Sequence, residues 1–380
     1  MIISKDELSR ALGNIKNIIP RRTPMPILQG VLITGDVMIA TNLKMTIQQK
    51  LTCSTDTPIY IPAESFDFIG SLPNNEGVTL ETTESENQSG QKNFIVKIQS
   101  GKIKARYSVK DPSDFPEKTM SIDESTMNVL TMDSDRIQGS INHVLYAVCK
   151  EGSSTAMTSL CIERKENWLS YVGLDGHVIA WDRNYLDTNK GDEMSYDAGF
   201  QILIPRDTAE KLSSMNFGKR ITIAFDNQTA FFSGENILVK ATLVAAQYFN
   251  YRKIVPENKN ISIKINKNRL IDAIVRASLS AKQSKCPIIL NIEGNVMRIN
   301  IKSSNNDFNE EIELLSPAEQ PLTIGFNPLL LKNSLSVFDD ENVNINFTGE
   351  KAPAVVSSDN LKLLTVVLPV NINTAESHAA

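Results

Sequence analysis

Asp175-Gly176-His177 places a carboxylate and an imidazole two residues apart, a pairing that could move a proton in acid–base catalysis. The chain offers nothing to complete such a site. It holds three histidines in all, none near His177, and no third group stands at triad spacing. No phosphate loop, nucleophile elbow or metal motif is present. His177 therefore reads as a loop-structuring residue. Cys53, Cys149, Cys161 and Cys286 form no CxxC pair, so the zinc spacings are missing and the four read as reduced, mostly buried thiols. Neither a metal nor a cofactor is expected, and the chain does not read as an enzyme.

Composition sets the frame. The 380 residues suffice for two or three domains with real cores, and 41% hydrophobic with 22% charged residues is ordinary soluble composition. No apolar run approaches the ~20 residues that span a bilayer. Lys5, Asp6, Glu7, Arg10 and Lys16 interrupt the first stretch, which excludes a signal peptide and points to the cytoplasm. A net charge of −5 argues, taken alone, against nucleic acid and acidic membranes.

The elements that must position any site occur three times, roughly every 120–130 residues. Each repeat reads as an amphipathic helix, a hairpin, a short helix opened by proline, a second hairpin and an exit strand. The first helix is expected from Lys5 to Ile19, with Ser4 and Glu7 as a capping box and Leu8, Leu12, Ile15 and Ile19 as its apolar stripe. Ile137, Ile141, Val144 and Val148 answer in the second repeat, and Leu270, Ile274 and Ala277 in the third, entered from Asn266. The expected hairpins are Val31 to Ala40 around Gly35-Asp36, Leu160–Glu163 with Trp168–Val172, and Ile288–Ile292 with Val296–Ile301. Pro62, Pro205 and Pro328 open the short helices. Further hairpins follow at Ile221–Phe225 with Ala230–Ser233 and at Val343–Phe347 with Ala354–Ser357, while residues 84–92 read as a loop. The fold class is α+β, in tandem modules at 1–120, 126–250 and 254–373, with 374–380 a flexible tail. Composition does not decide whether the modules are beads or one continuous body.

Several strings now acquire a meaning together. Arg22-Thr23-Pro24-Met25-Pro26-Ile27-Leu28, Asp114-Phe115-Pro116, Asp175-Gly176-His177, Tyr251-Arg252-Lys253-Ile254-Val255-Pro256 and Val366-Val367-Leu368-Pro369-Val370 fall in the order and spacing of the bacterial DNA polymerase III β subunit. The chain resembles that sliding-clamp family from its start to about Ile372. The resemblance implies the DNA clamp fold and a head-to-tail dimeric ring around duplex DNA. It implies a non-catalytic processivity factor that tethers polymerase and clamp-loader subunits through short hydrophobic peptides. Such a ring needs only weak, sequence-blind attraction to DNA, which reconciles the acidic total with function. Arg10, Arg21, Arg22, Lys267, Arg269, Arg276 and Lys282 are the expected DNA-facing cations.

The resemblance also implies a peptide groove between the second and third modules. Carried over position by position, it comprises Met157, Leu174, Gly176, His177, Val178 and Ile179, then Phe249, Lys253 and Ile254, then Val366, Val367, Leu368, Pro369 and Val370. The chain departs from the family at three places. Val178 stands where the family has arginine, Leu368-Pro369-Val370-Asn371 replaces Met-Pro-Met-Arg, and Phe249 replaces a proline. A more apolar, narrower groove with altered peptide preference is expected. Tyr107 and Leu279 are the expected dimer contacts, with the partner strand near residues 102–110. The rival readings are a three-domain protein-interaction scaffold that does not encircle DNA, a hydrolase built on Asp175 and His177, and an auxiliary or mobile-element paralogue within the family.

Overall fold

The computed structural model describes residues 1–372 except 75, 87–91, 117–119, 124, 153, 196–197, 257, 281–285 and 303–306. They form two compact units. One comprises Met1–Ile137, Thr188–Asp197 and Ser214–Leu243, and the other Gln138–Asp187, Ala198–Ser213 and Val244–Ala380.

The first unit holds two antiparallel sheets. The larger runs, in spatial order, Glu193–Met194, Asn128–Asp133, Arg220–Phe225, Thr229–Ser233, Ile237–Thr242, Met45–Pro62 and Gly30–Thr41. Its central ladder pairs Ile237 with Gln49 and Ala241 with Met45, so strands of the first and second sequence repeats share one sheet. The smaller sheet orders Ile2–Ser4, Gly77–Glu86, Lys92–Ser100 and Ile103–Val109, leaving Ile103–Val109 as an edge.

Helix Lys5–Ile15 buries Leu8, Ala11, Leu12 and Ile15, as the i, i+4, i+7 spacing requires. It ends four residues earlier than its apolar stripe suggests. A tighter 3-10 turn, Lys16–Ile18, follows and brings Ile18 into the core in place of Ile19. The capping box forms only by half. Glu7 N–H donates to Ser4 Oγ at 3.2 Å, but the Glu7 carboxylate turns to the neighbouring strand and accepts from Thr52 N and Oγ1, both at 2.6 Å.

The expected hairpin at Val31 to Ala40 is instead one strand, Gly30–Thr41, paired along its length with Met45–Pro62. Gly35 takes φ +56, and the register shifts on either side of it. The Gly-Asp turn signal is used for a bulge within a long strand.

The second unit repeats the plan. Its larger sheet runs Phe200–Pro205, Ser159–Lys165, Trp168–Leu174, Val178–Tyr185, Leu363–Val367, Ala354–Ser357, Asn342–Phe347 and Ile261–Asn266. Val178–Tyr185 pairs with Leu363–Val367, so the second and third repeats are also joined by a main-chain ladder. The repeats are not beads. The smaller sheet orders Asp307–Glu313, Val296–Lys302, Ile288–Glu293 and Leu322–Phe326.

Helix Lys267–Ser280 buries Leu270, Ile274 and Ala277, and its expected Asn266 cap accepts from Arg269 N–H at 3.0 Å. Pro328 is the first residue of helix Pro328–Ser336, capped by Asn327. Pro62 and Pro205 instead close their strands, just before the helical turns begin. Residues 84–86 and Lys92 belong to paired strands rather than a loop, and 374–380 lie outside the described residues.

Candidate functional site

The second unit's large sheet carries a cleft of about 190 Å³. Strands Trp168–Leu174 and Val178–Tyr185 pair through Leu174 and Ile179, and Val366 pairs with Ile179 from the other side. Three adjacent apolar residues on one face thus make the floor, each at most 4% exposed.

The connecting loop makes one wall. Asp175 Oδ1 accepts from the N–H groups of His177 and Val178, both at 2.8 Å, which folds Asp175-Gly176-His177 into a tight turn. The Asp175 oxygen faces backbone donors, so its work here is structural. Gly176 sits at φ +89, a left-handed conformation that favours glycine, and Met157 covers its open side. Behind the floor, a side chain at Gly173 would strike the Val144 carbonyl at 2.4 Å, so a glycine there is what lets helix Ser134–Leu145 lie against the strand.

The segment 248–254 makes the opposite wall. Tyr248 and Tyr251 are buried, and the Tyr248 hydroxyl donates to the Val172 carbonyl at 3.2 Å. The Tyr251 hydroxyl donates to Glu163 at 2.6 Å, and Arg252 pairs with the same carboxylate at 2.6 Å. Burial pushes the Glu163 carboxyl up, but hydrogen bonds from Arg252 and Tyr251, with the Arg252 charge, outweigh it and hold the group below its ordinary value. Burial raises the phenols of Tyr248 and Tyr251, which stay neutral donors. This buttress fixes Phe249 and Ile254 at the rim, 37% and 43% exposed. Leu368 completes the rim at 37%.

Ten of the expected groove residues line the cleft: Met157, Leu174, Gly176, His177, Val178, Ile179, Phe249, Ile254, Val366 and Leu368. Lys253, Val367, Pro369 and Val370 do not. Val367 is fully buried because strand alternation points it to the opposite face. Beyond Leu368 the chain leaves this sheet, and Val370 N–H bonds the Gly325 carbonyl of the smaller sheet at 2.9 Å. Lys253 ends the 3-10 turn Tyr251–Lys253. Apart from His177 the lining is apolar or glycine, so the cleft can bury hydrocarbon and offers little to charge. Its volume is below the ~300 Å³ at which drug-sized sites begin and suits one or two large side chains. Local spacing does not relate Glu163 to Tyr248 and Tyr251, so the sequence alone does not predict this buttress. Its signal was the cluster of aromatic residues in an otherwise polar linker.

The expected DNA-facing cations fall in both units. Arg10, Arg21 and Arg22 are exposed in the first. In the second, Arg269 is exposed, while Lys267 donates to the Phe338 carbonyl. Arg276 is held by Glu310 through two hydrogen bonds, so its charge is already countered. Lys282 lies outside the described residues. Of the expected dimer residues, Leu279 is 72% exposed and Tyr107 lies on the edge strand Ile103–Val109 with its ring 6.3 Å from Phe68.

Comparison with known proteins places this geometry. The family model for the DNA polymerase III beta subunit, N-terminal domain, matches residues 1–126, and that for its C-terminal domain matches 252–371. The chain belongs to the DNA polymerase III beta-subunit family.

Its likeness extends across whole sequences. It is 26% identical to the beta sliding clamp of Streptococcus pneumoniae, over 96% of this chain and 98% of that one. It is 22% identical to that of Synechococcus elongatus, over 98% and 100%. Two crystal structures show the fold. The beta subunit of Pseudomonas aeruginosa superposes with a TM-score of 0.86 at 19% identity, covering 98% of this chain and 100% of that one. That of Streptococcus pyogenes gives 0.84 at 21%, covering 97% and 99%. The expected α+β clamp fold, built of tandem helix-and-sheet modules, is therefore the fold of this chain. The family's role, a DNA-encircling processivity factor, goes with membership.

Proposed function

We propose that this beta subunit works as a homodimeric, non-catalytic ring in the cytoplasm, and that partner proteins dock short hydrophobic peptides in the cleft of its second unit. The modules are taken as 1–120, 126–250 and 254–373. One observation carries the docking reading: Phe249, Ile254 and Leu368 hold an apolar rim open to solvent above a buried apolar floor. Soluble proteins rarely keep such a concave apolar surface without a ligand. A Pseudomonas aeruginosa sliding clamp bound to griselimycin is among the structural relatives. The departures at Val178, Phe249 and Leu368 favour partners led by bulky apolar side chains over partners that need a cationic groove.

Ring closure has a counterpart in the two sheet edges. Ile103–Val109 carries Lys104 and Arg106, flanked by Lys102 and Lys110, and Asp307–Glu313 carries Asp307 and Glu313 together with Glu310 and Glu311, which are partly offset by Arg276 and Arg298. One edge is basic and the other acidic, and each can pair with the opposite edge of a second copy. The weak DNA attraction falls to the exposed cations Arg10, Arg21, Arg22 and Arg269.

Fluorescence anisotropy with a labelled, glutamine-led hydrophobic peptide tests the docking. Phe249→Ala and Ile254→Ala should each weaken binding about tenfold with little change in stability, since both residues are already partly exposed. Unchanged affinity in both variants would refute the cleft as the docking site. A scaffold that does not encircle DNA could share the cleft, but it would not be retained on circular DNA.

A further inference from the structure

The face that floors the cleft does not end there. Along Val178–Tyr185 the burial alternates, and Ile179, Trp181, Arg183 and Tyr185 share the outer face. Beyond Ile179 this face carries an unbroken ladder of aromatic rings and guanidinium groups. Arg183 lies between the chain's two tryptophans, 4.8 Å from the Trp181 ring centre and 5.4 Å from that of Trp168. Trp181 meets Tyr251 edge-on at 5.1 Å, with Arg252 over both rings. Trp168 meets Tyr185 edge-on at 5.2 Å.

The two ends of the ladder differ. At the cleft end, Tyr251 and Arg252 are satisfied by Glu163. At the far end, Trp168 and Tyr185 are 41% and 49% exposed. Arg183 donates to the Leu361 carbonyl, and among the described residues no carboxylate lies within ion-pair distance of it. The ladder holds the guanidinium in place without neutralising it, next to a large exposed aromatic pair.

We propose that this ladder is a second docking track, continuous with the cleft, for the flanking segment of the same partner peptide. This rests on the cleft reading. The occupant is an extended peptide that places an acidic side chain on Arg183 and an aromatic or proline ring on Trp168 and Tyr185. Continuity with the cleft and a partly exposed Arg183 guanidinium with no carboxylate at ion-pair distance among the described residues select it. The spacing follows from strand geometry. At ~3.3 Å per residue, Arg183 is about 13 Å and Tyr185 about 20 Å from Ile179. An extended ligand therefore carries its acid about four residues, and its ring about six, from the side chain seated in the cleft.

The test uses the full chain and three labelled peptides. One is the short glutamine-led hydrophobic core. Two carry an aspartate and a tryptophan at those spacings, on the amino side in one and on the carboxyl side in the other. One extended peptide should bind about fivefold tighter than the core, the size of an exposed charge contact plus a ring contact. Trp168→Ala and Arg183→Gln should abolish the gain and leave core affinity unchanged, whereas Phe249→Ala weakens every peptide. Aspartate to asparagine in the peptide should also reduce the gain, and it needs no change to the protein. Equal affinity for all three peptides overturns the track and leaves the cleft standing. No binding of any peptide overturns both. A thymidine oligonucleotide whose quenching of tryptophan fluorescence is lost in Trp168→Ala, with no gain for the extended peptides, overturns the track in favour of a nucleic-acid surface.

Discussion

The Leu368 N–H donates to the His177 carbonyl at 2.9 Å, tying the exit of the last strand to the loop at the other side of the cleft. Rim and loop come from distant parts of the chain, and this bond carries the ladder between Val178–Tyr185 and Leu363–Val367 one step further, to the edge of the cleft. The cleft is therefore a property of the sheet rather than of either segment alone. Leu368→Pro removes this donor. It should lower affinity for the hydrophobic peptide at least about tenfold, at a stability cost of about 1 kcal/mol, because the lost bond lies at the surface end of a strand. Urea unfolding beside anisotropy separates the two effects.

Gly176 offers a second handle on the same loop. Its φ of +89 is costly for any residue with a Cβ, although the space beside it is open apart from Met157 at 3.9 Å. Gly176→Ala should cost about 1–2 kcal/mol through backbone strain alone. Wild-type stability in the urea denaturation of that variant would show that the loop relaxes at no cost, and that Gly176 is not needed for the turn.

The Glu163 pair gives a pH dependence of definite sign. The carboxyl titrates below its ordinary 4.5 in the folded chain, so its contribution is complete above that value and is lost as pH falls through the lower folded-state value. Glu163→Gln should remove about 1–2 kcal/mol at neutral pH, discounted because both partners are partly exposed. It should also flatten the loss of stability below pH ~4.5. Parallel acid-side slopes for the two proteins would show that other carboxylates control that limb.

In the proposed ring, the opposite charges of the two sheet edges should make dimer strength depend on salt. Arg106→Glu sets a like charge against the acidic edge of the other copy and should weaken dimerisation about tenfold or more at low ionic strength, with the difference shrinking as salt rises. Sedimentation velocity across a concentration series measures it. A salt-independent dimer with the wild-type constant would exclude these edges as the interface.

Much of this was legible in the residues because it follows local periodicity. Leu8, Leu12 and Ile15, and later Leu270, Ile274 and Ala277, recur at helical spacing and are buried where the period puts them. The repeats and the strings around His177 and Leu368 led to the cleft. What was not legible depends on the third dimension. The Gly35-Asp36 signal is the same for a hairpin turn and for a bulge, and only the long partner strand Met45–Pro62 decides between them. The Glu163 buttress joins residues that neither helical nor strand periodicity relates. Arg276 reads as a free cation until strand Asp307–Glu313 brings Glu310 to it. Pro369 and Val370 follow Leu368 in sequence, but the bond from Val370 to Gly325 carries them off to another sheet.

Retention on DNA tests the central claim most directly. The purified beta subunit, loaded onto nicked circular duplex by a clamp loader, should co-elute with the circle through gel filtration in salt high enough to screen surface charges. It should leave when a restriction enzyme opens the circle. Release from the intact circle at the same salt, or persistence on the linear product, would contradict a topological hold.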